Sequence, residues 1–229
     1  MDFSWINSFG NELLHGLGIT LKLLALSGVF GFLLAVLVAL GRLSSNPLIS
    51  APLRAYTAVF GGTPLLVQIY ILYYGVGSVF ASYPLIRGSF LWPYLREGFW
   101  YVALALILCV GAYVGEVLRG ALRAVPRGEL EAARAFGMKR LMVLRRVWLP
   151  RALELVKPTL VGETVLLLKA TALASTVAVT DLLGAANLVR AQTLRVYEPL
   201  LAVAVIYIVL AFVIEHVFSR WGKVPQRQA

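Results

Sequence analysis

Five polar side chains stand inside otherwise apolar runs of this 229-residue chain: Thr63, Gln68, Glu116, Glu163 and Lys169. At bilayer depth such groups are costly, and they mark a solute site, a relay or an ion pair. Thr63 and Gln68 bracket Pro64 and follow Gly61-Gly62. The glycines weaken a helix by about 1 kcal/mol each against alanine, and the proline removes a backbone donor. Broken backbone at that depth is tolerated where it is buried in protein or lines a cavity, and half-helix ends can receive the charged groups of a zwitterion. A hydroxyl and an amide there suit a carboxylate or an amino group; a proline kink that only shapes packing is the other reading. Glu116 precedes Arg119 and Arg123 by one and two turns, so it is either a site anion or half of an interfacial ion pair. Lys169 is expected to pair with Glu163, with Asp181 or with a partner chain, or to contact a solute carboxylate.

A second kind of chemistry sits between residues 119 and 158, where ten basic residues run from Arg119 to Lys157. Pro126 should end the preceding helix. Glu129 to Phe136 reads as a short helix closed by Gly137 in a left-handed turn. A second short helix, about 138–148, is expected to run to Leu149-Pro150. Leu130, Ala133 and Gly137 fall on one stripe by helical spacing. Small residues there would let a partner's surface approach the backbone, with Glu131 as an anionic anchor. A helix lying on anionic lipid explains the basic residues equally well. The residues alone leave both readings open.

Other chemistries lack their residues. There is no HExxH, no paired CxxC and no GxxxxGK[ST]. His15 and His216 flank different spans on opposite sides, and no serine or histidine pair lies at bilayer depth for an intramembrane enzyme. Cys109 reads as a small buried apolar side chain, and Lys22, near the outer end of the first span, as a snorkelling lysine. An ion channel or ion-coupled secondary carrier remains an alternative, with Glu116, Glu163 and Lys169 as gating or coupling groups.

The elements that must hold these residues follow from composition. The chain is 60% hydrophobic and 14% charged, with net charge +10, whereas soluble domains carry about 25% charged residues. We read an all-α polytopic membrane protein with one domain, 1–229, and five spans at about 17–40, 54–80, 99–118, 159–180 and 199–218. The N-terminus has no Lys or Arg before the first span, so that span is expected to be retained rather than cleaved as a leader. The segments 41–54, 119–158 and 219–229 share fifteen Lys and Arg residues; the opposite side holds only Arg87, Arg96, Arg190 and Arg195. Positive charge prefers the cytoplasm. The N-terminus is therefore expected outside and the C-terminus and the 119–158 loop inside.

Glu131-Ala132-Ala133, three residues, Gly137, nine residues, then Val147-Trp148-Leu149-Pro150 resembles the EAA loop of bacterial ABC-importer permeases. In that family the loop carries the coupling helix, seated in a groove of the cytoplasmic ATPase subunit. The resemblance covers nearly the whole chain. Gly62-Thr63-Pro64-Leu65-Leu66-Val67-Gln68 looks like the GTPxxxQ segment of the polar amino-acid branch. Ala112 to Glu116 and Val125 to Glu129 look like its third-span and pre-loop signatures. Glu163-Thr164-Val165, Thr171-Ala172-Leu173-Ala174 and Asp181-Leu182-Leu183 are similar to the M-type subunit of histidine/lysine/arginine/ornithine and opine importers. Relatives commonly carry arginine where this chain has Gly61, and many read KDTSL where it has Lys169 to Leu173.

The resemblance implies a permease subunit for polar, in particular basic, amino acids or opines, without catalysis of its own. It makes Glu163 the better candidate for a cationic substrate. It assigns ATPase coupling to Glu131, Ala132, Ala133, Gly137, Leu149 and Pro150. It also implies no cofactor on this chain, with ATP and magnesium on the partner ATPase. The implied partners are cytoplasmic ABC ATPase subunits, a second permease (a Q-type paralogue or a second copy) and a periplasmic amino-acid-binding protein. Membrane lipid surrounds it, nucleic acid has no place, and the location is the bacterial inner membrane.

Overall fold

A computed structural model describes residues 5–220, with side chains described from 9 to 218. The basic residues expected at Lys223 and Arg227, on the C-terminal side, lie outside the described residues. Within them the chain is all-α. Four helical segments are long and apolar enough to cross a bilayer: Phe9–Arg42, Leu65–Ser82, Gly98–Ala124 and Tyr197–Phe218.

Helix α1 (Trp5–Arg42) buries Leu13, Thr20, Leu23, Ser27, Ala35 and Val38. That spacing of three and four residues puts them on one face. From Leu23 onward the face packs against α7 (Gly98–Ala124), and small residues set how closely. A Cβ on Gly111 would meet Leu34 at 2.7 Å, and one on Gly115 would meet Val38 at 3.0 Å. Close backbone approach at small residues is the usual way apolar helices associate in lipid. The Ser27 hydroxyl donates to the Ala103 carbonyl at 3.5 Å, and Arg42 meets Glu116 at 2.8 Å. Contacts thus advance together along both helices, so α1 and α7 run parallel.

Helix α2 (Pro47–Gly62) begins at Asn46, whose Oδ1 accepts from the Leu48 backbone N–H, with Pro47 in the first turn. It stops where the glycines and Pro64 predict. Thr63 and Pro64 are extended, and α3 (Leu65–Tyr70) starts on the far side. A π-helical turn, Ile71–Val76, then leads into α4 (Gly77–Ser82). Two single-turn helices follow, α5 (Pro84–Arg87) and α6 (Trp92–Leu95), and then α7. That helix runs to Ala124 rather than 118. It ends because Val125, preceding Pro126, is pushed into the extended region.

Beyond Pro126, α8 (Arg127–Ala135) projects as the expected short helix and closes in a Schellman turn. The Met138 N–H donates to the Ala133 carbonyl at 3.2 Å and the Gly137 N–H to the Arg134 carbonyl at 2.9 Å. Gly137 has φ +78, a region that glycine enters without the Cβ penalty.

The next segment differs from expectation. Instead of a helix stopping at Leu149-Pro150, α9 (Arg140–Val143) passes through a π turn (Leu144–Trp148) directly into α10 (Leu149–Ala170). Pro150 lies in the first turn of α10, and the widened π turn accommodates the donor that its ring removes. The fourth predicted span, 159–180, is therefore displaced. Helix α10 starts ten residues earlier and ends at Ala170, where a 3₁₀ segment (Thr171–Thr176) takes over. Its charges, from Arg151 and Glu154 to Glu163 and Lys169, keep it out of the four apolar spans.

Helix α11 (Leu182–Thr193) is capped by Asp181, and α12 (Tyr197–Arg220) is the last helix among the described residues. Asp181, fully buried, accepts from the Gly184 N–H at 2.9 Å and faces the Tyr207 hydroxyl at 3.5 Å, while the Leu182 N–H donates to Thr20 Oγ1 at 3.1 Å. One carboxylate and one threonine thus tie α1, α11 and α12 at a single point. Three apolar clusters make the interior. One centres on Leu23, Ile69, Val102 and Leu106, one on Ala35, Val114, Leu118 and Leu122, and one on Leu182, Ala186, Val189 and Val203.

Candidate functional site

The break after α2 leaves carbonyls without helical partners, and in lipid each would be expensive. Side chains meet those of Phe60, Gly61 and Thr63. The Thr63 hydroxyl donates to the Val59 carbonyl at 2.7 Å. The Tyr113 hydroxyl, from α7, donates to the Gly61 carbonyl at 2.9 Å. The Gln68 amide reaches back from α3 and donates to the Phe60 carbonyl at 3.0 Å, the Thr63 carbonyl at 3.1 Å and Thr63 Oγ1 at 2.9 Å. Gln68 is 6% exposed, and its Oε1 is buried without a partner. The two predicted solute-binding residues of this segment do meet, and what they hold is the irregular backbone itself.

Glu116 is also engaged. Arg42 of α1 reaches one of its carboxylate oxygens at 2.8 Å and Arg119 the other at 2.7 Å. The sequence paired it with Arg119 and Arg123; α1 supplies Arg42 instead of Arg123, which only the α1–α7 packing could bring in. Glu163 and Lys169 are different. Among the described residues neither makes an ion pair or a side-chain hydrogen bond. Lys169 is exposed and Glu163 half-buried. Six residues apart on one helix, they stand about 9 Å apart along the axis and roughly 120° apart around it. The expected pairing of Lys169 with Glu163 or Asp181 is therefore absent within this chain: helical geometry separates the first pair, and Asp181 is occupied as a cap.

In the segment between α7 and α10, two side-chain contacts hold the elements together. The Trp148 indole donates to the Leu122 carbonyl at 2.8 Å, satisfying one of the last carbonyls of α7. Arg151, at the start of α10, pairs with Glu129 of α8 at 3.2 Å and with Glu154 at 3.0 Å. The two carboxylates hold the Arg151 guanidinium above its ordinary pKa, so it stays charged.

The outward surface is not the predicted stripe. Leu130 packs against the second apolar cluster and Ala133 is 6% exposed, so both face the protein. Glu131, Ala132 and Gly137 are exposed, together with Phe136 at 86% and Leu141 at 64%. Leu149 is half-buried and Pro150 exposed, both inside the helical run that feeds α10. The sequence reading missed Phe136. The signal was available, since an aromatic residue just before a left-handed glycine occupies the tip of the turn.

Residues 29–220 match the family model described as "Binding-protein-dependent transport system inner membrane component". The octopine transport system permease protein OccM of Rhizobium radiobacter is 38% identical over 94% of this chain and 87% of its own length. The histidine/lysine/arginine/ornithine transport system permease protein HisM of Escherichia coli K12 is 40% identical over 91% of this chain and 86% of its own. A crystal structure of an amino acid ABC transporter with histidines superposes with TM-score 0.80 at 31% identity, covering 96% of this chain and 97% of that one. The inward-facing MetNI methionine ABC transporter shares the fold, with TM-score 0.73 at 20% identity. None of these relatives supports the channel or ion-coupled carrier alternative. The chain belongs to the family of binding-protein-dependent transport system inner membrane components, and it is a membrane-spanning permease subunit of a bacterial ABC importer.

Proposed function

We propose that this chain is one half of an ATP-driven import pathway for basic amino acids or opines. The observation that carries the substrate class is the pair of relatives, OccM and HisM, whose names specify octopine and histidine/lysine/arginine/ornithine at 38% and 40% identity over more than nine-tenths of the chain. A second permease, a Q-type paralogue or another copy, completes the pathway. Cytoplasmic ATPases carrying ATP and magnesium dock on α8, and a periplasmic binding protein delivers the solute. Five spans cross the membrane, α10 being the fourth, with the N-terminus outside and the C-terminus in the cytoplasm.

Within the site, Glu163 and Lys169 are the groups with charge left to offer. Glu163 suits the ammonium or guanidinium of a cationic solute, and Lys169 its carboxylate or the partner permease. Glu116 is already neutralised by two guanidiniums, while Thr63 and Gln68 shape the pathway wall through the backbone they hold. On the cytoplasmic side Glu131, Ala132, Gly137 and the exposed Phe136 form the face offered to the ATPase. Ala133 sets the helix on its seat, and Leu149 and Pro150 pass its movement into α10. ATP-driven closure of two ATPases would draw the two α8 helices together and rock the spans, exposing the central site to one side at a time.

The test is uptake of labelled arginine, lysine and octopine by cells carrying the complete transporter. Glu163→Gln is expected to lower uptake of cationic solutes while the protein inserts normally. Glu131→Arg is expected to abolish uptake of every solute. Unchanged transport in both variants would overturn the reading.

A further inference from the structure

A cleft of about 1150 Å³ involves none of the residues given a transport or coupling role. It lies between α1 and the start of α7. Along α1 its wall is His15, Ile19, Lys22, Leu26, Val29 and Phe30, a stripe about 22 Å long at 1.5 Å per residue. Along α7 it is Arg96, Glu97, Phe99 and Trp100, with Tyr73 and Thr180 between.

Two features of this cleft point to one kind of occupant. First, polarity falls in the same direction on both walls. Because α1 and α7 run parallel, the charged residues Lys22, Arg96 and Glu97, with His15, collect at one end. Everything beyond Lys22 on α1 and beyond Glu97 on α7 is apolar or aromatic. From Lys22 to Phe30 is about 12 Å, close to the depth of one hydrocarbon leaflet of a ~30 Å core. A zwitterionic solute would find no further charged group to follow inward, so the cleft is no branch of the solute pathway. Second, Lys22, Arg96 and Glu97 carry charges of both signs, and none is spent on a partner among the described residues. Val29 and Phe30 are 59% and 53% exposed in the apolar part.

We propose that this cleft is a binding site for one aminophospholipid of the phosphatidylethanolamine type. Lys22 and Arg96 hold the phosphate through charge-assisted hydrogen bonds, and Glu97 accepts the headgroup ammonium. One acyl chain lies along Leu26, Val29, Phe30 and Trp100. The leaflet is the outer one, which rests on the orientation proposed above; the site itself does not.

Native mass spectrometry of the assembled transporter, exchanged into detergent with defined phosphatidylethanolamine or phosphatidylglycerol, tests this. Wild type is expected to retain one phosphatidylethanolamine per copy of this chain. The double variant Lys22→Gln/Arg96→Gln should lose it, with apparent affinity down about tenfold, whereas Arg87→Gln on the same side should retain it. Glu97→Gln should erase the preference for phosphatidylethanolamine over phosphatidylglycerol. Equal retention by wild type and double variant, no preference in wild type, or cross-linking of a Val29→Cys protein to the second permease would each overturn it. An uptake defect in Glu163→Gln with normal lipid retention separates this site from the transport reading.

Discussion

Gln68 shows how a single side chain can support irregular backbone in a membrane. Its amide satisfies the Phe60 carbonyl at the end of α2 and the Thr63 carbonyl in the extended step before Pro64. Truncation would leave buried acceptors unmet, at roughly 1–3 kcal/mol. We therefore expect Gln68→Ala to lower the thermal midpoint of the purified protein clearly more than Thr57→Ala, whose hydroxyl is exposed and bonds only its own helix. Equal shifts would contradict the role assigned to Gln68. The helix break itself was legible, because Gly-Gly-Thr-Pro announces it. The third side chain at the break was not legible, since Tyr113, which donates to the Gly61 carbonyl, lies fifty-two residues away and enters only through packing. Glu116 teaches the same lesson. Arg119 was visible one turn on, whereas Arg42 needed the parallel docking of α1 on α7.

At the scale of elements, boundaries set by proline and glycine were readable and boundaries set by tertiary packing were not. Gly62, Pro126 and Gly137 stop or turn helices where their stereochemistry requires. Pro150 misled, because a proline in a first turn is compatible with a helix that a π turn has widened. Helix α10 therefore continues the backbone from the π turn to Ala170 without a break, and Arg151 is its link to α8. Arg151→Ala is expected to leave thermal stability nearly unchanged, since the pair is exposed, yet to lower transport driven by ATP hydrolysis in reconstituted vesicles. A transport rate equal to wild type would remove Arg151 from the coupling route. At the other end of the fold, Leu194 caps α11 with φ 57 and is 87% exposed. A left-handed leucine costs about 1–2 kcal/mol, so Leu194→Gly should raise the thermal midpoint; a fall would contradict the strain.

Taken as a whole molecule, the chain is a set of apolar rods whose charges are grouped by purpose. One group ties helix ends together (Arg42, Glu116, Arg119), one locks the loop to α10 (Glu129, Arg151, Glu154), and one stays unspent within α10 (Glu163, Lys169). The positive-inside count, made on the sequence alone, leads us to propose the overall sidedness. The direction in which α8 presents its faces came only from the structure, which turned Leu130 and Ala133 inward and left Phe136 at the tip. The central claim is that this tip seats on a cytoplasmic ATPase and moves with it. Site-directed cross-linking tests it most directly, using Ala132→Cys in a Cys109→Ala background within the assembled transporter. A disulfide to an engineered cysteine in the ATPase groove should form, and a membrane-impermeant thiol reagent should reach Cys at this position only from the cytoplasmic face. Labelling from outside the cell, or free reagent access with the ATPase bound and no cross-link formed, would contradict the account.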